Sequence, residues 1–183
     1  MKYFVKIIKE SILIVILTSI IGLFTGSLLS LNERILYSFP IILLILPSLN
    51  SLTGDICTIL VSRLTTHLYI GTIAPRLEKS KRLKEDFLGL LITLLLSLIL
   101  LIVVGHAIAF YTDIKIINPF FIIMVLFITI ILLFVSMFIV LFIGSIFLFK
   151  SGKDPNNFLI PFVTSSADFL TPFFLIIFII IFL

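Results

Sequence analysis

Two carboxylates stand where a carboxylate is expensive. Asp55 and Asp168 each interrupt a run of Ile, Leu, Val and Phe, whereas the other acids lie near the N-terminus, in polar connections or at the edges of apolar runs. An acid at the centre of a membrane helix costs about 2.5–3.5 kcal/mol on insertion scales. Each therefore calls for an aqueous path, a cation or a hydrogen-bonded neighbour. Asp168 has Thr164, Ser165 and Thr171 three or four positions away, between Pro161 and Pro172. That spacing puts the four on one helix face, with Phe162, Phe169 and Phe173 on the other. Asp55 belongs to a second stripe, Ser51, Asp55, Thr58, Ser62 and Thr65, at alternating steps of four and three, with Asn50, Thr53 and Gly54 beside it. Helix packing alone accounts for Ser and Thr. It does not account for the carboxylates.

Oxygen donors without a His, Cys or Met cluster suit hard cations rather than dehydrating transition-metal sites. Mg²⁺ gives up its waters reluctantly and is typically held by one or two carboxylates plus retained waters. A sparse lining of this kind fits a largely hydrated ion. Asp168, Asp55 and Thr164 are the expected metal donors. Asn50, Ser51, Thr53, Gly54, Thr58, Ser62, Ser165 and Thr171, with freed backbone carbonyls, are the expected pore lining. Assembly of two chains about an axis would double each acid, and rings of acids select cations. Mg²⁺ enters as the transported ion; no organic cofactor and no nucleic-acid partner are expected. An intramembrane aspartyl protease is one alternative, since such a dyad shares a proton. However, Thr53 rather than Gly stands two before Asp55, and Ala167 rather than Tyr precedes Asp168. A non-catalytic membrane assembly subunit with structural acids is the other alternative.

The elements that must position these residues follow from composition. The 183 residues are 61% hydrophobic and 12% charged, against about 45–50% and about 25% in soluble domains. Lipid is the solvent such a chain requires. Five apolar runs are legible: Ser11–Leu31, about Ile35–Gly71, Phe87–Tyr111, Pro119–Phe149 and Phe158–Leu183. The first exceeds the roughly 7–15 residues of a signal-peptide core and reads as a retained span. As one straight helix the second would reach about 55 Å, against a hydrocarbon core of about 30 Å. It must be broken, tilted or extended past the bilayer, with Pro40, Pro47 and Gly54 as candidate break points. The fold class is thus an all-α integral membrane protein of about five transmembrane helices, the second and last interrupted by Pro or Gly. Residues 76–86 form a charge-rich loop. Lys and Arg concentrate at the N-terminus, in that loop and around Lys150 and Lys153. Basic short loops stay cytoplasmic, which puts the N-terminus inside and the C-terminus outside. His106 reads as an interhelical hydrogen-bond partner, Arg63 and His67 as snorkelling or lipid-headgroup residues, and the lone Cys57 as packing.

Residues 47–71 and 154–168 resemble the membrane domain of the MgtE magnesium transporter family, and more closely its eukaryotic relatives, solute carrier family 41. That family carries a proline, a Gly-Asn pair and a Ser-Arg-Leu-Ser/Thr segment in its second span, then an Asp-Pro turn before a last span with an inward aspartate. Gly54, Ser62, Arg63, Leu64, Thr65, Asp154, Pro155, Pro161 and Asp168 match, and so does the five-span plan. The resemblance implies divalent-cation transport, chiefly of Mg²⁺, by a homodimer in the cell membrane with the ion path near the subunit interface. It also implies a metal-site role for Asp168. Two features depart from the family pattern: Asp55 replaces the family asparagine, and residues 1–183 read as a single membrane domain without the soluble sensor domains of bacterial members.

Overall fold

Six helices order the chain in the computed structural model: α1 (Lys2–Leu31), α2 (Glu33–Ser38), α3 (Pro40–Ile70), α4 (Lys81–Tyr111), α5 (Pro119–Lys150) and α6 (Pro155–Phe182). The structure describes residues 2–78 and 80–183, the side chains of 2–7, 9, 10 and 13 excepted. The basic residues Lys2, Lys6, Lys9 and Lys79, which enter the orientation reading, therefore have side chains outside the described residues. No strand occurs among the described residues. All helices but the short α2 are long and apolar enough to cross a bilayer.

Local chemistry sets the boundaries. Pro40, Pro119 and Pro155 each occupy the first turn of a helix, where a missing N–H removes no intrahelical bond. Ser80 caps α4, its Oγ accepting from the Leu83 N–H at 3.0 Å. Asp154 caps α6, its Oδ1 accepting from the Asn156 N–H at 3.0 Å. These side chains satisfy donors that the first turn leaves free. α3 ends on Gly71, whose φ of 77° is the left-handed conformation glycine adopts without a Cβ penalty.

The long second run divides at Phe39 and Pro40. Beyond that point α3 runs without interruption through Pro47 and Gly54, and α6 likewise through Pro161 and Pro172. The prolines inside the spans thus act without ending their helices. Each lacks the N–H that would reach the carbonyl four residues earlier. Pro172 in this way leaves the main-chain carbonyl of Asp168 without its usual helical donor. The charge-rich segment also differs from a plain loop: α4 begins at Lys81, so Lys81 to Asp86 are helical, with Ser80 supplying the cap.

α3 is the central helix and packs on α2, α4, α5 and α6; α6 packs on α1, α3 and α5. α4 and α5 meet each other only sparsely. The core joins Ile41, Ile45, Leu49, Leu60 and Leu64 of α3 to Leu94 and Leu98 of α4. It continues into Ile122, Leu126 and Ile130 of α5 and Leu175 and Ile179 of α6. Leu23, Phe24, Leu96, Leu100, Phe110, Ile139 and Phe147 face outward. An apolar surface of this extent is what lipid, not water, accommodates. The chain is a multi-pass membrane protein.

Candidate metal pathway at the α3–α6 seam

The helices that carry the two intramembrane acids meet at one crossing. A Cβ built on Gly54 of α3 would lie 3.9 Å from both Cα and Cγ2 of Thr164 on α6. This pair fixes the register of the seam. Four successive spans make α3 and α6 antiparallel, so Asp168 lies level with the Asn50 turn of α3. Asp55 is then offset from Asp168 by roughly 7 Å along the seam, at about 1.5 Å per residue. Each residue advances about 100° around a helix. Asp55 is one step beyond Gly54, and Asp168 is four steps, or about 40° net, beyond Thr164. For antiparallel right-handed helices these rotations carry both acids to the same side of the seam.

Exposure agrees with that register. Asp55, Asp168, Thr164 and Ser51 are exposed in the single chain, and Thr58, Ser62 and Ser165 are half-buried. The Thr164 hydroxyl is placed to donate back to the carbonyls of Pro161 at 3.0 Å and Ile160 at 3.3 Å. With its proton so used, its lone pairs remain for a cation. Asp168 adds a carboxylate and the carbonyl released by Pro172. Farther along α3, Thr58, Ser62, Arg63, Thr66 and His67 line an open cavity of about 430 Å³. The polar stripe therefore leads from Asp55 into a recess at the end of α3.

Other expected lining residues fall elsewhere. Thr53 is buried, its hydroxyl donating to the Leu49 carbonyl at 2.9 Å, and it lines a small gap with Cys57, Leu94, Ile130 and Phe134. It sits two residues, or about 200°, from Asp55 and so faces α4 and α5. Thr171 is fully buried with an unpaired Oγ1, and Thr65 of the stripe is buried likewise. Helical spacing groups them with the acids, but neighbouring helices cover them. Gly54 lies buried in the seam itself. Asn50 is half-buried, and its Oδ1 has no partner. Among the described residues no group of three or more His, Cys, Asp or Glu converges on a metal-sized site.

A match to a known family covers this seam. The model of the divalent cation transporter family MgtE matches residues 46–178, from the second turn of α3 to the last turns of α6. The chain belongs to the MgtE family. It is a divalent cation transporter of the membrane, and the matched region contains Gly54, Asp55, Thr164 and Asp168. Neither a curated protein nor a solved structure matches the chain.

The end of α3 in this MgtE-family chain carries an ion cluster that spacing within the sequence does not reveal. Asp86, on the second turn of α4, is only 2% exposed. Its Oδ1 accepts from Arg63, with Nε and Nη2 both 2.6 Å away. Its Oδ2 lies 3.1 Å from His67 Nε2, and His67 Nδ1 lies 2.7 Å from Thr72 Oγ1. Arg63 and His67 thus do not simply snorkel. Arg63 is held by a carboxylate from the next helix, because a charge at this depth needs a counter-charge, and His67 lies beside the same carboxylate. The sequence carries only half of the cluster: Arg63 and His67, four residues apart, share one side of α3, but nothing in their spacing joins them to Asp86. His106 also departs from its expected role. Its Nδ1 approaches its own helix at the Ile102 carbonyl, 2.8 Å away, rather than a neighbouring helix. Cys57 is 1% exposed and packs in the core as expected.

Proposed function

We propose that the chain carries Mg²⁺, largely hydrated, through a path formed where two copies pair along their α3–α6 seams. The observation that carries this reading is the exposure of Asp55 and Asp168 on one side of that seam. Facing lipid, each carboxylate would cost about 2.5–3.5 kcal/mol or more. Facing the same residues of a second copy across water, each becomes part of a doubled ring that attracts a divalent cation. Asp168 and Thr164 would supply the principal donors, and Asp55 a second carboxylate on the route. Ser51, Thr58, Ser62 and Ser165, with Asn50 and Gly54 at the seam, would offer hydroxyl, amide and backbone oxygens to the ion's retained waters. Hard oxygen donors without nitrogen or sulfur favour Mg²⁺ over transition metals. Asp55, in place of the family asparagine, raises the negative charge along the path. The Lys and Arg distribution orients this path with the N-terminus inside and the C-terminus outside.

Two measurements test the proposal. Cysteines introduced at Ser51 or Ser165 should form intersubunit crosslinks in the membrane, whereas cysteines on the lipid-facing side of α4, at Leu96 for example, should not. Mg²⁺ entry into proteoliposomes should be inhibited by an exchange-inert hexaammine cation that mimics the hydrated ion. Crosslinking only at Leu96 would contradict the pairing, and flux indifferent to the hexaammine cation would contradict passage of a hydrated ion.

A further inference from the structure

We propose that the crevice between the first turns of α4 and the facing stretch of α5 holds one anionic phospholipid of the inner leaflet. The sparse contact between α4 and α5, each anchored instead on α3, leaves a cleft of about 540 Å³. Ser80, Lys81, Leu83, Lys84, Phe87 and Phe138 line it. The cleft is divided by chemistry. Lys81 and Lys84, three residues apart and both exposed, stand at its polar end. Phe87 and Phe138, with ring centroids 4.9 Å apart, form its apolar wall.

Charge decides the occupant. Both carboxylates of this helical turn are already engaged: Glu85 pairs with Arg82 at 3.1 Å, and Asp86 with Arg63. Among the described residues Lys81 and Lys84 form no ion pair. Two unneutralised ammonium groups above an aromatic wall match a phosphate joined to an acyl chain. Basic pockets between helices on the cytoplasmic side are where anionic headgroups bind. The cleft opens on the side that carries most of the Lys and Arg, which the positive-inside rule makes cytoplasmic. A soluble anion would leave the phenyl wall facing lipid alone, and a zwitterionic lipid would leave the two lysines uncompensated.

The test uses the full purified chain in bilayers that mix phosphatidylcholine with phosphatidylglycerol. The immobilised fraction of each spin-labelled lipid reports which one the protein retains. The expected result is preferential retention of phosphatidylglycerol by the unaltered chain. Lys81→Gln with Lys84→Gln should lower that preference by about fivefold per lysine, roughly 25-fold for the pair, while Lys81→Arg with Lys84→Arg keeps it. Equal retention of the two lipids, an unchanged preference in the glutamine variant, or displacement of the lipid by inorganic phosphate would overturn the proposal. The readout is lipid retention, so it succeeds or fails independently of Mg²⁺ transport.

Discussion

Replacing Asp86 with Asn should loosen the junction between α3 and α4 without touching the seam that carries the other two acids. The substitution keeps the shape of the side chain and removes its charge. The two contacts from Arg63 at 2.6 Å then lose their ionic character. A hydrogen bond to a charged group contributes about 1.5–3 kcal/mol. Breaking a fully buried ion pair costs about 3–5 kcal/mol, because the partner is stranded. Here Asp86 is buried, but the Arg63 side chain is 53% exposed and can be solvated. The loss should therefore fall below the fully buried case, at about 2–3 kcal/mol. For a chain of this size that is a fall in Tm of about 4–12 °C, measured by thermal unfolding of the purified protein in detergent. Arg63→Gln, combined with Asp86→Asn in a double-mutant cycle, isolates the pair. A coupling below about 0.5 kcal/mol, the scatter expected of independent sites, would refute the view that Asp86 holds Arg63 in place.

Gly105→Ala should destabilise the α3–α4 contact by about 1–3 kcal/mol, because the new Cβ would lie 2.8 Å from both Cγ1 and Cδ1 of Ile45. Ile45→Val, which removes Cδ1, should recover part of the Tm; a Gly105→Ala protein as stable as the parent would argue against this packing. Cys57, at 1% exposure, should react with a bilayer-permeant maleimide only when the protein unfolds, and rapid labelling of the folded chain would contradict its burial. Thr164→Val should lower Mg²⁺ flux roughly tenfold if its oxygen contributes one charge-assisted contact. Thr53→Val, on the far side of α3, should leave flux near the parent value, and the reverse order would mean that the wrong face of α3 lines the path.

The spans were legible in the sequence because lipid imposes a coarse and strict requirement. Apolar runs of this length need a bilayer around them, and α5, expected over residues 119–149, occupies Pro119–Lys150. Helical spacing likewise places each acid in a polar stripe, since residues three and four apart share a side. Periodicity does not reveal which sides neighbouring helices cover. Thr171 falls on the Asp168 face by spacing yet is fully buried, and Thr65 extends the Asp55 stripe yet is buried as well. Proline inside an apolar run signals a break, which occurs at Pro40 but not at Pro47, Pro161 or Pro172. A helix surrounded by other helices tolerates the loss of one hydrogen bond, and α6 passes through both of its internal prolines. Asp86 is illegible for a different reason. It sits at the edge of an apolar run among other charges, and only the return of α4 beside α3 brings it to Arg63 and His67, 23 and 19 positions earlier in the chain.

The most direct test of the central claim is Mg²⁺ entry into proteoliposomes containing either the unaltered chain or Asp168→Ala, with thermal unfolding confirming that both are folded. The α3–α6 pathway predicts Mg²⁺ entry for the unaltered chain and its loss in the variant. Undiminished entry through a folded Asp168→Ala protein would contradict it.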